Sequence, residues 1–200
     1  MKVLAFVDLH GSEKALLGLK KKLRTEKPDI ICCSGDISIV DRNTTDMIAE
    51  LDNLGKRLLI IPGNHEDEKN LEMLCRFCEN VMYLHKRTFI LNDVLFIGYG
   101  TGGFSSIDSK FVPVGKRFEG IIRKERDKKI VFLIHAPPYR TKLDNIMGSS
   151  CGNKNLRQFI VRNKPNLVVC GHLHENAGKE DYLGKTRIIN PGPEGMIVEL

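Results

Sequence analysis

The sequence predicts an α/β fold in which buried strands deliver polar side chains to a common edge, and three observations carry that expectation. Five short apolar runs, Val3 to Val7, Ile30 to Ser34, Leu58 to Ile61, Ile130 to Ile134 and Leu167 to Cys170, have the length and abrupt ends of buried strands. The first three alternate with amphipathic helical stretches, so a β-α-β-α-β series opens the chain. Each run also ends in residues that bind metals: Asp8 and His10, Asp36, Asn64 and His65, His135, and His172 with His174. In an open α/β sheet, sites form outside the carboxyl ends of the strands, so residues far apart in sequence can meet there.

The elements follow in order. Lys2 to Val7 reads as a strand, and Ser12 as the N-cap of a helix from Glu13 to about Arg24 that buries Leu16, Leu19 and Leu23. Lys27-Pro28-Asp29 ends it, before the buried strand Ile30 to Ser34. A helix from Thr44 to about Leu54 stops at Gly55. Leu58 to Ile61 is halted by Pro62-Gly63, and the turn presents Asn64, His65 and Glu66. Next come a helix from Glu68 to Cys78 and strands at Val81 to Leu84, Thr88 to Leu91 and Val94 to Gly98, the last two joined by a hairpin turn at Asn92-Asp93. Gly100 to Pro113 reads as a loop and Lys116 to Lys128 as a charged helix. Ile130 to Ile134 begins a second buried-strand series.

The connection from Ala136 to Asn153 is too long for a plain linker and is a candidate substrate loop, with Tyr139, Arg140 and Lys142 as its reach. A helix from Asn155 to Asn163 leads through Pro165 to the strand Leu167 to Cys170. Hairpin-like pieces at Thr186 to Ile189 and Met196 to Glu199 close the chain around Asn190-Pro191-Gly192-Pro193.

Composition places residues 1–200 in one globular domain: 42% hydrophobic and 28% charged residues are ordinary usage. The net charge of +6 attracts phosphate-bearing substrates if it lies near the site, and otherwise serves solubility. The six cysteines imply no disulfide framework, because Cys32, Cys33 and Cys170 sit inside apolar runs. Cys75 and Cys78 read as helix neighbours, since no second pair stands at zinc-site spacing. The N-terminus has no cleavage-like region and no apolar run reaches membrane-spanning length, so the expected location is cytoplasmic with no membrane partner.

A lone histidine at a strand end is more often a hydrogen-bonded structural residue than a ligand. Here five of the six histidines stand at such ends. With Asp8, Asp36 and Asn64 they form a mixed nitrogen and oxygen set suited to Mn, Fe, Co, Ni or Zn better than to Mg or Ca. The set is larger than one four-coordinate ion needs, so two metals is the economical reading.

Asp8-Leu9-His10, Gly35-Asp36, Gly63-Asn64-His65-Glu66, His135 and Gly171-His172-Leu173-His174 resemble the ordered motif set of the calcineurin-like metallophosphoesterases. His135-Ala136-Pro137-Pro138-Tyr139 and Asn190-Pro191-Gly192-Pro193 are similar to the small phosphoesterases related to the cyclic-nucleotide phosphodiesterases. The resemblance implies a four-layer α-β-β-α sandwich, consistent with two series of strands. It implies that Asp8, His10, Asp36 and His174 hold one divalent ion, and Asp36, Asn64, His135 and His172 the other, with Asp36 bridging and manganese favoured. The attacking group would be a hydroxide shared by the two ions. His65 is then the catalytic non-ligand histidine, donating a proton to the leaving alkoxide or a hydrogen bond to a phosphoryl oxygen. The family usually carries an acidic or amide residue three positions after the bridging Asp to orient that histidine. Here Ile39 stands there, leaving Asp41 or Asp67 as candidates.

The expected activity is hydrolysis of a small phosphate ester, nucleotides included. Diesters are favoured over monoesters because no cap domain is inserted between the motifs and Asp8 and Asp36 add negative charge to the site. A scaffold that has lost catalysis is the alternative from another class, but every matched position is still occupied. A nuclease is the runner-up among enzymes, although no aromatic-basic patch stands out. Oligomeric state has no signature in the sequence.

Overall fold

Alternation along the buried strands decides the layering. The computed structural model describes residues 1–200. Its first half runs β1 (Lys2–Phe6), α1 (Glu13–Glu26), β2 (Ile30–Cys33), α2 (Thr44–Asp52), β3 (Leu58–Ile60), α3 (Glu68–Cys75), β4 (Val81–Tyr83), β5 (Arg87–Leu91) and β6 (Val94–Tyr99). The second half runs α4 (Phe111–Lys124), β7 (Lys129–Ile134), β8 (Asn145–Ile146), β9 (Ser149–Ser150), α5 (Lys154–Asn163), β10 (Leu167–Val169), β11 (Glu180–Leu183), β12 (Thr186–Ile189) and β13 (Met196–Glu199). One sheet has the order β13-β1-β2-β3-β4 and the other β11-β12-β10-β7-β6-β5, while β8 and β9 pair with each other.

Successive side chains of a strand face opposite sides, so a strand apolar on both faces must be covered twice. From β1 and β2, Leu4, Phe6, Ile31 and Cys33 pack under α1, α2 and α3 with Leu16, Leu19, Ile48 and Leu71. Their alternates Val3, Ala5, Ile30 and Cys32 turn inward and meet Val131, Leu133, Leu167 and Val169 of the second sheet. On the far side of that sheet, Phe132, Ile134 and Val168 pack against Phe118 of α4 and Phe159 of α5. Three apolar cores separate four layers, which is the α-β-β-α sandwich. Phe132 lies within 5.1 Å of the Phe159 ring and 6.2 Å of the Phe111 ring, a cluster that fastens α4 and α5 to the sheet.

β1, β2, β3 and β4 are mutually parallel, and so are β6, β7, β10 and β12. The turns after β1, β2, β3, β7 and β10 therefore carry the predicted polar residues out of the carboxyl ends of parallel strands. No helix is long and apolar enough to cross a membrane.

Several boundaries differ from the sequence reading. Helix α4 begins at Phe111, five residues earlier than periodicity suggests, because Asp108 accepts from the N–H groups of Lys110 and Phe111. Pro113 then falls in the first turn, where a missing N–H costs nothing. Helix α1 continues to Glu26, with Lys27 in the left-handed conformation as its stop, and α3 ends at Cys75 rather than Cys78. The connection after Ala136 is not structureless, since it contains the β8–β9 hairpin. Strand β11, half exposed and polar, carried no buried-strand signal.

Candidate metal centre

The centre is held by backbone groups before any side chain acts. The turn after β2 pairs with the turn after β1, through Asp8 N–H to Gly35 O, His10 N–H to Asp36 O and Gly11 N–H to Ile37 O. It is joined to the turn after β3 by Glu66, whose buried carboxylate accepts from the N–H groups of Asp36, Ser38 and Gly63 at 2.9–3.0 Å and from the Ser38 hydroxyl at 3.1 Å. Gly63 lies directly against the Asp36 carboxylate, so any Cβ there would collide with Asp36 Oδ1. Asp8, His10, Asp36 and His172 adopt φ of 57°, 44°, 53° and 70°. Left-handed backbone costs an L-residue ~1–2 kcal/mol, and four such residues at one edge mark a site that the rest of the fold stabilises against its own strain.

All eight predicted site residues come together here. Asp8, His10 and His174 form one group of close ligand atoms, and Asp8, Asp36 and His135 another. His10 Nε2 stands 3.1 Å from His174 Nε2 and 3.8 Å from Asp36 Oδ2. On the other side, His135 Nε2 lies 3.3 Å from the same Asp36 Oδ2 and 2.9 Å from Asn64 Oδ1, which is 2.7 Å from His172 Nδ1. His10, His172 and His174 are not fully buried, so the cluster is open to solvent on one side.

The tautomers follow from partners that can only accept. His10 Nδ1 donates to Ser38 O at 3.1 Å and His135 Nδ1 to Ser34 O at 2.9 Å. In the neutral rings both Nε2 atoms are then bare and point into the cluster. Bare His135 Nε2 facing two oxygens, one of them a carboxylate, is unfavourable without a positive charge between them. Burial would keep that ring neutral, but the hydrogen bond and charge of Asp36 overcome it and lift the His135 pKa to about 9. Asp36 is held down at about 2, the His135 interactions outweighing its burial. Burial, joined by the Asp36 charge, raises Asp8 to about 6 against the pull of His135. Burial, helped by neighbouring His135, lowers His172 to about 4, and burial also lowers His10. Buried His172 Nε2 has no partner. These residues fit divalent cations: imidazoles, two carboxylates and an amide oxygen converge, and a cation there would take the place of the proton that His135 otherwise holds.

His65 is oriented differently from either sequence candidate. Asp41 is occupied by Thr44 and Asn70, and Asp67 caps α3. The Val40 N–H donates to His65 Nδ1 at 3.1 Å, which leaves the ring proton on Nε2. The ring stands edge-on to His10, with centroids 4.9 Å apart. A backbone amide thus replaces the missing side chain, and its geometry had no sequence signature.

Two further residues were underestimated from sequence. Asn190 is a buried clamp: Nδ2 donates to Leu173 O, between the two histidines, and Oδ1 accepts from Gly192 N–H. Phe104, in the Gly-rich loop, is exposed with its ring 4.6 Å from that of His172. Conversely, Tyr139 is engaged by the Arg140 guanidinium and the Lys154 ammonium at 5.5 and 5.0 Å from its ring centre.

The sequence profile described as calcineurin-like phosphoesterase matches residues 1–176. The chain belongs to this family. No curated protein matches its sequence. Among solved structures, a protein from Thermus thermophilus is similar with a TM-score of 0.73 at 19% identity, over 96% of this chain and 88% of the other. A dimetal phosphatase from Danio rerio gives 0.68 at 11%, over 94% and 86%. An archaeal phosphodiesterase gives 0.57 at 15%, over 96% and 84%. At these identities the neighbours establish a shared fold. For this calcineurin-like phosphoesterase, family and donor clusters together support divalent metal ions as cofactors.

Because Glu66 satisfies three backbone donors inside the fold, Glu66→Ala leaves them without a partner. At ~1–3 kcal/mol for a buried group left unpaired, the variant is expected to lose several kcal/mol of stability by urea denaturation. Unchanged stability would show that Glu66 does not hold the two turns together.

Proposed function

We propose that this protein is a phosphodiesterase working through two metal ions, with Asp8, His10, Asp36 and His174 holding one and Asp36, Asn64, His135 and His172 the other. The observation that carries the proposal is that Asp36 Oδ2 lies between histidines of the two sets, 3.8 Å from His10 Nε2 and 3.3 Å from His135 Nε2. Two bound divalent ions supply Lewis acidity toward the phosphoryl group and make water a better nucleophile at neutral pH. Manganese is the favoured occupant.

The protein's own groups do the rest. The Ser34 and Ser38 carbonyls fix the His135 and His10 rings, and Glu66 fixes the turns. His65 directs Nε2–H, set by the Val40 amide, toward the substrate. With Nδ1 taken by the Val40 N–H, His65 offers Nε2–H as a hydrogen-bond donor to a phosphoryl oxygen. Two carboxylates at the centre disfavour a dianionic monoester, and Phe104 offers an exposed ring beside His172 to an aryl or base substituent. The archaeal phosphodiesterase and the Danio rerio dimetal phosphatase share the fold and represent the two substrate classes to be separated.

Three outcomes are expected. Elemental analysis after reconstitution gives two ions per chain, and Asp36→Ala loses metal. Because bound imidazole must be neutral and His135 holds its proton up to about 9, affinity falls as pH drops below that value. A stoichiometry of one or zero rejects the paired centre. His65→Ala keeps its metal while turnover falls ~10²–10³-fold, by similar factors for good and poor leaving groups. A loss that disappears with nitrophenolate would instead make His65 the proton donor. Finally, kcat/KM on bis-(nitrophenyl) phosphate exceeds that on nitrophenyl phosphate in the same metal and buffer. The reverse preference would reject the diester assignment alone.

A further inference from the structure

Beside the centre lies a pocket of about 700 Å³ that none of the roles above uses. It adjoins the centre through the chain itself. His174, Glu175 and Asn176 form one turn of 3₁₀ helix, and Glu175 and Asn176 line the pocket. A volume of this size accommodates a nucleotide-sized group.

The pocket is built rather than incidental. Asn176 is buried, and its Nδ2 donates to Leu143 O and Asn145 O at 3.0 and 3.1 Å, which ties the β8–β9 hairpin to the turn bearing His174. Asp144, fully buried, accepts from the N–H groups of Arg140, Thr141 and Gly152, and so fixes the segment that carries the pocket's cations. Arg140 is held in the left-handed conformation there, at φ 54°.

Its charge is unbalanced. Arg140, Lys142 and Lys179 line the pocket against Glu175 and Asp181. Asp181 is already engaged by the backbone N–H of Lys142, at 2.8 Å, and Lys179 donates to Asn176 Oδ1 at 2.9 Å. Neither the Arg140 guanidinium, which lies 5.5 Å from the Tyr139 ring centre, nor the Lys142 ammonium is paired with an acid, and Glu175 is likewise without a cation partner. A largely polar lining with two unpaired cations, one of them a planar fork of donors, matches a phosphate better than an apolar or cationic group.

We propose that this pocket binds a second phosphoryl group of the substrate. Resting on the phosphodiesterase reading above, this makes the substrate class a phosphodiester in which one esterified alcohol carries a further phosphate, the arrangement of a phosphorylated nucleotide ester. The first phosphoryl group sits among the histidines and the second reaches Arg140 and Lys142.

The test titrates metal-reconstituted protein with thymidine 3′,5′-bisphosphate and thymidine 5′-monophosphate by calorimetry. The bisphosphate is expected to bind roughly tenfold or more tightly, the scale of one hydrogen bond to a charged group. In Arg140→Gln/Lys142→Gln the two ligands become equal. Lys14→Gln/Lys124→Gln, which removes the same charge from α1 and α4, keeps the preference. Equal affinities in the unmodified protein, or a preference that survives Arg140→Gln/Lys142→Gln, overturn the pocket. Hydrolysis of bis-(nitrophenyl) phosphate without the bisphosphate preference removes the pocket and leaves the phosphodiesterase. The preference without hydrolysis of any ester does the opposite.

Discussion

The buried carboxylate of Glu66 is the interaction on which the rest of the centre depends. A turn leaving a strand has N–H groups with no ladder partner, and two such turns packed together would bury several of them unpaired. Glu66 accepts from three, on Asp36, Ser38 and Gly63, and so locks the turn after β2 to the turn after β3. Burial raises its pKa, and the neighbouring Asp36 charge adds to that, while the hydrogen bonds oppose both. With the turns locked, Gly63 allows Asp36 to come close enough for one carboxylate to serve both sides of the cluster. The cluster of Asp and His side chains is thus positioned by a residue that lies outside it.

The same economy extends across the two sheets. His135 leaves the second sheet but donates to Ser34 O in the first, and the His172 N–H bonds the Asp8 carboxylate at 3.0 Å. Ser34 Oγ reaches Val169 O at 3.1 Å. The hydrogen bonds that hold the sheets in register at this edge are therefore the ones that orient the metal-binding groups. Strained backbone at Asp8, His10, Asp36 and His172 is sustained because the middle core beneath them, from Val3 and Ala5 to Val131 and Leu133, cannot relax without opening both sheets.

The differences between sequence and structure share one physical cause. Periodicity located α4 but not its start, because the start is set by the Asp108 side chain capping backbone groups rather than by the apolar face. Strand β11 went unread because a half-exposed edge strand buries too little to impose a pattern; it exists by pairing with β12. Lys22 of α1 has no apolar pattern to place it, yet it reaches across to the Glu194 and Gly195 carbonyls. In each case the deciding contact lies outside the window in which a pattern can form.

By itself the sequence determined the α/β class, the strands that lose both faces to burial, and the clustering of ligand-type residues at five strand ends. These follow from local rules: the twofold period of a strand, and the breaker that stops it beside a histidine or an aspartate. Only the tertiary structure decided that Asp36 stands between two donor groups, that the Val40 amide orients His65 where Ile39 cannot, and that Asn176 and Asp144 shape a cationic pocket beside His174. Those relations join residues 25 to 99 positions apart or depend on the path of a turn. A turn's path is set by which buried N–H groups must be satisfied once the sheets have closed, and no linear pattern of residue types contains that information.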